Sequence, residues 1–371
     1  MFTIFFSLFL SVLGKNFNLK RTYDYFYMKC PSDYLPFLSI IIPTYNEEKV
    51  IFNTVKNIQE SSYKNFEIII IDDNSNDSTP DIIEKLTKMY TNIIFLRKIG
   101  EKGKPQSLNE ALNYISGSIV LFLDADSIIP DNYIEYHLKR FFNNEINLIF
   151  TDFEPYNYKT KFIYEYQDIY FEFVKNLLYS NMFAKMIFMG NGLFIRKELL
   201  EKILPLNPKT LVDDFNMALK LYELKAKEHF MLYPKVKIQY VTSLKDLFNQ
   251  HTRWYVGGYR EIYHYIKEGN LKIIFTFLIL LLVIFSPIIL FILDMIYKTN
   301  LLLQFLLPLF LFFWCFAFTS KILKKNVSFR DFLLIVLVEI PIGLIIEVII
   351  AVYSLILSIF KEPNWYKVKR D

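Results

Sequence analysis

Cysteine is nearly absent from this sequence: there are 2 in 371 residues, Cys30 and Cys315, and the second lies inside an apolar run. Neither a disulfide framework nor a cysteine metal knuckle can be built from them, and a reducing compartment suits the chain. An excess of one charge is also missing. The formal net charge is +4, with 42 basic and 38 acidic residues interspersed, which excludes the broad basic footprint of a nucleic-acid binder. There is no internal repeat and no low-complexity linker. The apolar run 1–14 lacks the basic start and small-residue cleavage site of a secretory signal.

Apolar side chains are abundant instead. Hydrophobic residues make up 53% of the chain, and the excess is concentrated after Lys272. Segments 273–297, 301–319 and 332–360 each approach or exceed the roughly 20 apolar residues that cross a bilayer. Lys321, Lys324, Lys325 and Arg330 place the loop between the second and third segments in the cytoplasm. The last segment is overlong and interrupted by Glu339, Pro341 and Glu347, so part of it can lie in the interface and return the basic tail to the cytoplasm. The expected organisation is an N-terminal anchor or interfacial segment with a linker over 1–35, an α/β domain over 36–244, an interfacial helix region over 245–271, and about three transmembrane helices with a basic tail over 272–371. This places the protein in the cell membrane as a multi-pass chain with its α/β domain in the cytoplasm and the lipid bilayer as a partner.

Within the α/β domain, short apolar runs at 38–42, 66–71, 93–96, 119–123 and 148–150 alternate with amphipathic helical stretches. That alternation predicts a Rossmann-like, mostly parallel sheet covered on both faces. Ligands then bind outside the carboxyl ends of the strands, and polar groups cluster there: Thr44, Tyr45 and Glu47 after the first run, Asp72 and Asp73 after the second, Asp124 and Asp126 after the fourth. Thr79 and Pro80 read as a capping residue and a helix-opening proline.

Asp124-Ala125-Asp126 sets two carboxylates at a strand end, where they can share Mg²⁺ or Mn²⁺ with a diphosphate, because hard cations prefer carboxylate and phosphate oxygens. A solvated turn is the plain alternative. Asp72 and Asp73 can accept from a nucleobase N–H or ribose hydroxyls, or close an acidic turn, the role assigned to Asp77. Lys104, opening a helix after Gly103, is placed to meet a phosphate. Asp213 and Asp214 begin another helix, where either can be an ordinary N-terminal acid. Arg253 can offset charge on a diphosphate, and Trp254 offers a flat apolar face to a sugar. Gln250 lies one helical turn from both.

Taken in order, Ile41-Ile42-Pro43-Thr44-Tyr45-Asn46-Glu47-Glu48, Asp72-Asp73, Asp124-Ala125-Asp126, Val212-Asp213-Asp214 and Gln250-His251-Thr252-Arg253-Trp254 resemble the motifs of processive-type, membrane-bound family 2 glycosyltransferases, which include the cellulose, chitin and hyaluronan synthases. The resemblance covers about residues 36–260 and implies a GT-A fold. It implies that Tyr45 and Glu47, with Thr44, hold base and ribose, that Asp73 and Asp72 complete the nucleoside site, and that Lys104 approaches the diphosphate. Asp124 would touch the nucleotide and Asp126 the metal. Asp214 would be the general base that drives inversion. Gly190-Asn191-Gly192 falls where the family has an acceptor-contacting loop of small residues, and the asparagine departs from that pattern. The implied reaction moves a sugar from a UDP-sugar to a saccharide or lipid-linked acceptor. A polyprenyl-phosphate sugar synthase and a silent nucleotide-binding scaffold are the alternatives.

Overall fold

The computed structural model describes residues 33–98, 103–159, 161–177, 189–267 and 340–360, with isolated positions elsewhere that include Arg370. They divide into two compact units: Asn18–Tyr158, Met186–Tyr240 and Lys369–Asp371 form one, and Met1–Phe17, Lys159–Lys185 and Val241–Val368 the other.

The first of these is a seven-stranded sheet in the order β3-β2-β1-β4-β6-β5-β7. Strands β1 (Leu38–Thr44), β2 (Phe66–Asp72), β3 (Ile93–Arg97) and β4 (Ile119–Phe122) run parallel. Isoleucine dominates β1 and β2 because both faces are covered and every position from Ile68 to Ile71 is removed from water. Helix α1 (Ile51–Glu60) buries Ile51, Thr54, Val55 and Ile58, a helical stripe. Ahead of it, Glu47 to Val50 form a turn in which the Glu47 carbonyl accepts the N–H groups of Val50 and Ile51. Helix α2 (Thr79–Met89) opens with Pro80 in its first turn as expected, yet the residue at its N-cap, Ser78, makes no side-chain cap. The Thr79 hydroxyl instead accepts the Glu47 N–H at 2.7 Å.

Helices α3 (Lys104–Ala111) and α4 (Tyr133–Leu138) complete the β1 to β4 half. Beyond it the sheet turns mixed. Strand β5 (Leu148–Pro155) pairs antiparallel with β6 (Leu193–Arg196) and parallel with β7 (Glu228–Ile238), and β6 pairs antiparallel with β4. The sheet order reverses beside β1, with β2 on one flank and β4 on the other, which opens a crevice at their carboxyl ends.

Two polar residues sit inside this apolar sheet and satisfy each other. The Ser39 hydroxyl donates to Glu67 Oε1 at 2.6 Å, the Ser116 N–H donates to the same oxygen at 2.7 Å, and the Gly117 N–H donates to Ser39 Oγ at 2.8 Å. A buried carboxylate is tolerated only with such donors around it. Helices α5 (Phe162–Leu177), α6 (Lys197–Ile203) and α7 (Asp213–Glu223) follow in chain order, with α5 belonging to the second unit.

In that second unit α5 lies with α8 (Leu244–Lys267) and α9 (Ile340–Phe360). The Tyr259 hydroxyl donates to the Ala351 carbonyl at 3.3 Å, and the Phe248 and Tyr353 rings meet at 5.3 Å. Among the described residues no helix is long and apolar enough to cross a membrane, so they do not carry the multi-pass arrangement read from the sequence. The segments 1–14, 273–297 and 301–319 lie outside the described residues save for single positions, as do most of the loop 321–330 and the tail. Of the third segment, α9 is described, with Glu347 interrupting its apolar run.

A methyl group on Gly117 would meet the backbone of Phe37, Leu38 and Ser39, which cannot yield without disrupting β1. Gly117→Ala is expected to cost about 1–3 kcal/mol of stability by overpacking. Gly258→Ala, on α8 with nothing within 4 Å of the added carbon, should be neutral or stabilising. Denaturant unfolding of the two variants checks this, and equal effects would contradict it.

Candidate active site

The site is built from three strand ends. At the end of β1 the Thr44 hydroxyl donates to the Ile71 carbonyl at 3.0 Å, and the Asp73 N–H donates to the Thr44 carbonyl at 2.8 Å. Thr44 is thereby spent on stitching β1 to β2. Asn46 then turns the chain with φ +53°, a conformation asparagine tolerates. Its N–H donates to Ser75 Oγ at 2.8 Å and its amide oxygen accepts the Asn76 N–H at 2.9 Å. Tyr45, half-buried, rides on this turn, and the turn delivers Glu47, 7% exposed, to the crevice.

The two acids ending β2 are held from within. Asp73 Oδ1 accepts the Lys98 ammonium at 2.6 Å and Oδ2 accepts the Gly103 N–H at 2.8 Å. Lys98 is 1% exposed, so each charge makes the burial of the other possible. Asp72 accepts the Ser75 N–H at 3.2 Å and lies 3.7 Å from Arg97. Burial raises its pKa despite the Ser75 hydrogen bonds and the Arg97 charge. Asp77 accepts the Thr79 N–H at 2.9 Å, the turn role expected of it.

Lys104 gathers the remaining acids. Its ammonium lies 3.0 Å from Asp124 Oδ1 and 3.4 Å from Asp213 Oδ2. Burial works against its charge, but Asp124, Asp213 and Asp214 together hold its pKa above the ordinary lysine value. Asp213 and Asp214 occupy the first turn of α7, which has no side-chain cap. Asp214 accepts the Phe215 N–H at 2.8 Å. A carbon added to Gly190 would come within 3.3 Å of Asp214 Cβ, so glycine leaves space beside that carboxylate. Pro43, Lys104, Asp124, Gly190, Asp213 and Met217 line a cleft here.

Asn191, expected at the acceptor, turns inward. Its amide oxygen accepts the Asp124 N–H at 3.2 Å and the Ser127 hydroxyl at 2.9 Å, so it braces the Asp124–Asp126 turn. Gly192 has φ +79°, and a side chain there would meet Thr151 and Tyr133, which accounts for glycine.

Arg370 was legible in the sequence only as part of a basic tail. Its guanidinium forks onto Glu47, with Nε 3.0 Å from Oε2 and Nη2 3.1 Å from Oε1, and its Nη1 reaches Asp126 Oδ2 at 2.5 Å. Lys49 Nζ donates to the Arg370 carbonyl at 2.7 Å. Asp126, 6% exposed, has its pKa pushed up to about 6: burial raises it more than Arg370 lowers it, and Asp124 and Glu47 add to the rise. Among the described residues no three His, Cys, Asp or Glu side chains form a ready metal cage. Two hard carboxylates are present, and Asp126 already takes a cation as its partner, so Asp124 and Asp126 fit a divalent ion that draws its other oxygens from a ligand.

Gln250, Arg253 and Trp254 stand on α8 in the second unit. Trp254 stacks on His251 with ring centroids 4.8 Å apart and planes at 27°, and meets Phe171 edge-on at 6.2 Å.

Residues 39–204 match the model of the family described as Glycosyl transferase family 2. Residues 39–204 are a family 2 glycosyltransferase domain. It is 31% identical over 241 residues to a beta-monoglucosyldiacylglycerol synthase of Nostoc sp., covering 62% of this chain and 51% of that protein. It thus spans about half the length of that relative. A probable glycosyltransferase of Bacillus subtilis, YdaM, is 26% identical over 372 residues, 91% of this chain and 87% of its own. Among solved structures, the mannosyltransferase PcManGT of Pyrobaculum calidifontis, in complex with GDP-Man and Mn²⁺, superposes with a TM-score of 0.57 at 16% identity, covering 96% of this chain and 99% of that one. That likeness shows the fold, which is GT-A-like with a mostly parallel seven-stranded sheet.

The raised pKa of Asp126 makes stability of the family 2 domain depend on pH. The fold holds the proton more tightly than the unfolded chain, so this contribution is present below about pH 4 and is lost as pH rises through about 6. Asp126→Asn cannot ionise. With chelator present, the wild-type chain should therefore lose more stability than Asp126→Asn between about pH 4 and 7, by up to about 3 kcal/mol. Parallel stability curves for the two proteins would refute the assignment.

Proposed function

We propose that the chain is a membrane-associated, inverting glycosyltransferase that moves a sugar from a nucleoside-diphosphate donor, a UDP-sugar on its synthase-like motifs, to a saccharide or glycolipid acceptor. The observation that carries this reading is the Lys104 ammonium between Asp124 and Asp213, beside Asp214 at the carboxyl ends of the central strands. A cation fixed among acids on a cleft floor is arranged for a diphosphate, whose charge replaces part of what the lysine now balances. The family 2 domain and the glycolipid named for the Nostoc relative support the donor and acceptor classes. A composition 53% hydrophobic supports association with a bilayer.

Tyr45 and Glu47, on the turn that Asn46 sets, face the nucleoside. Asp72 and Asp73 act on it through that loop, because their carboxylates are tied to Ser75, Lys98 and Gly103. Lys104 holds the diphosphate. Asp124 and Asp126 would hold Mg²⁺ or Mn²⁺, which when bound supplies positive charge against the leaving diphosphate. Asp214 takes the proton of the acceptor hydroxyl as its oxygen bonds to the anomeric carbon. The bond to the diphosphate breaks on the opposite face and the nucleoside diphosphate leaves, inverting the anomeric centre. Gly190 leaves room for the acceptor beside Asp214. Within the second unit, the synthase-like motif gives Gln250 and Trp254 to the acceptor and Arg253 to a negative charge.

Purified chain incubated with labelled UDP- and GDP-sugars, Mg²⁺ or Mn²⁺, and glycolipid or oligosaccharide acceptors should consume one donor and release its nucleoside diphosphate. Asp214→Asn should lower kcat by roughly 10²–10⁴-fold while donor affinity stays near wild type. No donor consumed would end the reading, and full transfer by Asp214→Asn would end the role given to that residue. A product on polyprenyl phosphate would move the acceptor class to that lipid.

A further inference from the structure

Glu347 is the residue that the proposed chemistry leaves unused and that an apolar helix has no reason to hold. It sits in the middle of α9 with its side chain 13% exposed, and it is met by donors from two other helices. From α8, His251 Nδ1 approaches Oε1 at 2.5 Å and the Tyr255 hydroxyl donates to Oε2 at 2.8 Å. From α5, the Tyr166 hydroxyl donates to Oε1. One carboxylate thus joins three helices. Gly343, one turn earlier on α9, makes room for this, because a side chain there would run into the Tyr166 ring.

Desolvating a carboxylate costs several kcal/mol, and an apolar side chain would join three helices without that cost. What the carboxylate supplies in addition is direction. A hydrogen bond to Nδ1 fixes both the tautomer and the plane of the His251 ring, a ring with no exposure to water. Tyr170 packs against the same ring at 4.8 Å between centroids. On another side the ring stacks on Trp254. A chain of contacts therefore runs from Glu347 through His251 to the indole that closes the Gln250 to Trp254 motif.

We propose that Glu347 is a positioning residue: through His251 it sets the plane of the Trp254 indole, and so the affinity for the acceptor sugar. The acceptor part rests on the function proposed above; the positioning part does not.

Two readouts keep these apart. The first needs no activity. In the full-length chain with Trp314→Phe and Trp365→Phe, Trp254 is the remaining tryptophan, and its emission and quenching by acrylamide report the stacking. Glu347→Gln, which keeps the size but removes the charge, should shift the emission and make Trp254 more quenchable. Tyr259→Phe removes a different bond between α8 and α9 and should leave both unchanged even if it lowers the melting temperature. The second readout is kinetic. Glu347→Gln should raise the acceptor KM about tenfold, the equilibrium weight of one charge-assisted hydrogen bond. Donor hydrolysis without acceptor should be unchanged, and the KM effect should vanish in a Trp254→Ala background. Unaltered Trp254 emission in Glu347→Gln, or a KM effect of equal size with and without Trp254, overturns the proposal. Altered emission in a chain that consumes no donor retains the positioning role and fails the glycosyltransferase reading.

Discussion

Acids collected at the carboxyl edge of one sheet must be held by cations, and this constraint organises the family 2 domain. Glu47, Asp73, Asp124, Asp126 and Asp213 converge there, and like charges so close in a partly desolvated crevice would otherwise protonate or splay apart. The chain answers with three basic groups. Lys98 is buried against Asp73, Lys104 bridges Asp124 and Asp213, and Arg370 forks onto Glu47 while reaching Asp126. The backbone turns follow from these pairs. Gly103 presents its N–H to Asp73 while its carbonyl accepts Lys98, so the loop that opens α3 is closed by the acid it must reach.

The three pairs are not equivalent. Lys98 and Asp73 are both nearly free of water and are bonded to the same loop, so separating them would leave a buried charge on each side. They are scaffold. Lys104 and Asp124 keep 26% and 38% of their side chains exposed, so their charges can be redistributed when a ligand enters. Asp126 lies between these cases: it is buried, paired with a guanidinium, and still has a raised pKa. Burial costs its charge more than the guanidinium returns, so the protein alone under-compensates it.

Much of this edge was legible in the sequence because it is local. An apolar run ending in an acid places that acid at a strand end without knowledge of the rest of the fold, and the acids after β1, β2 and β4 arrive where that logic puts them. Partners were less legible. Thr44 and Asn191 carry the right residue types for ligand contacts but satisfy backbone and neighbouring groups instead, a choice made by loop geometry. Strands β6 and β7 escaped because residues 151–270 are rich in aromatics, which blurs the two-residue alternation. Arg370 lies 244 positions from Asp126, and no spacing rule connects them.

Glu347 and Asp126 show how a buried carboxylate can be sorted by its surroundings. In the sequence, Glu347 reads as an interruption of an apolar run and Asp126 as an acid at a strand end. Glu347 accepts from an imidazole and two tyrosine hydroxyls on two helices, each donor part of a packed aromatic cluster, so nothing about it is open to exchange. Asp126 is buried, meets the Arg370 guanidinium through one oxygen, and lies beside two further acids that oppose its charge. The first arrangement minimises the energy of one geometry and suits a residue that orients others. The second leaves a desolvated charge that a proton or an additional cation would relieve. At similar burial and with the same chemistry, the donor set separates the wired carboxylate from the one whose charge stays under-compensated.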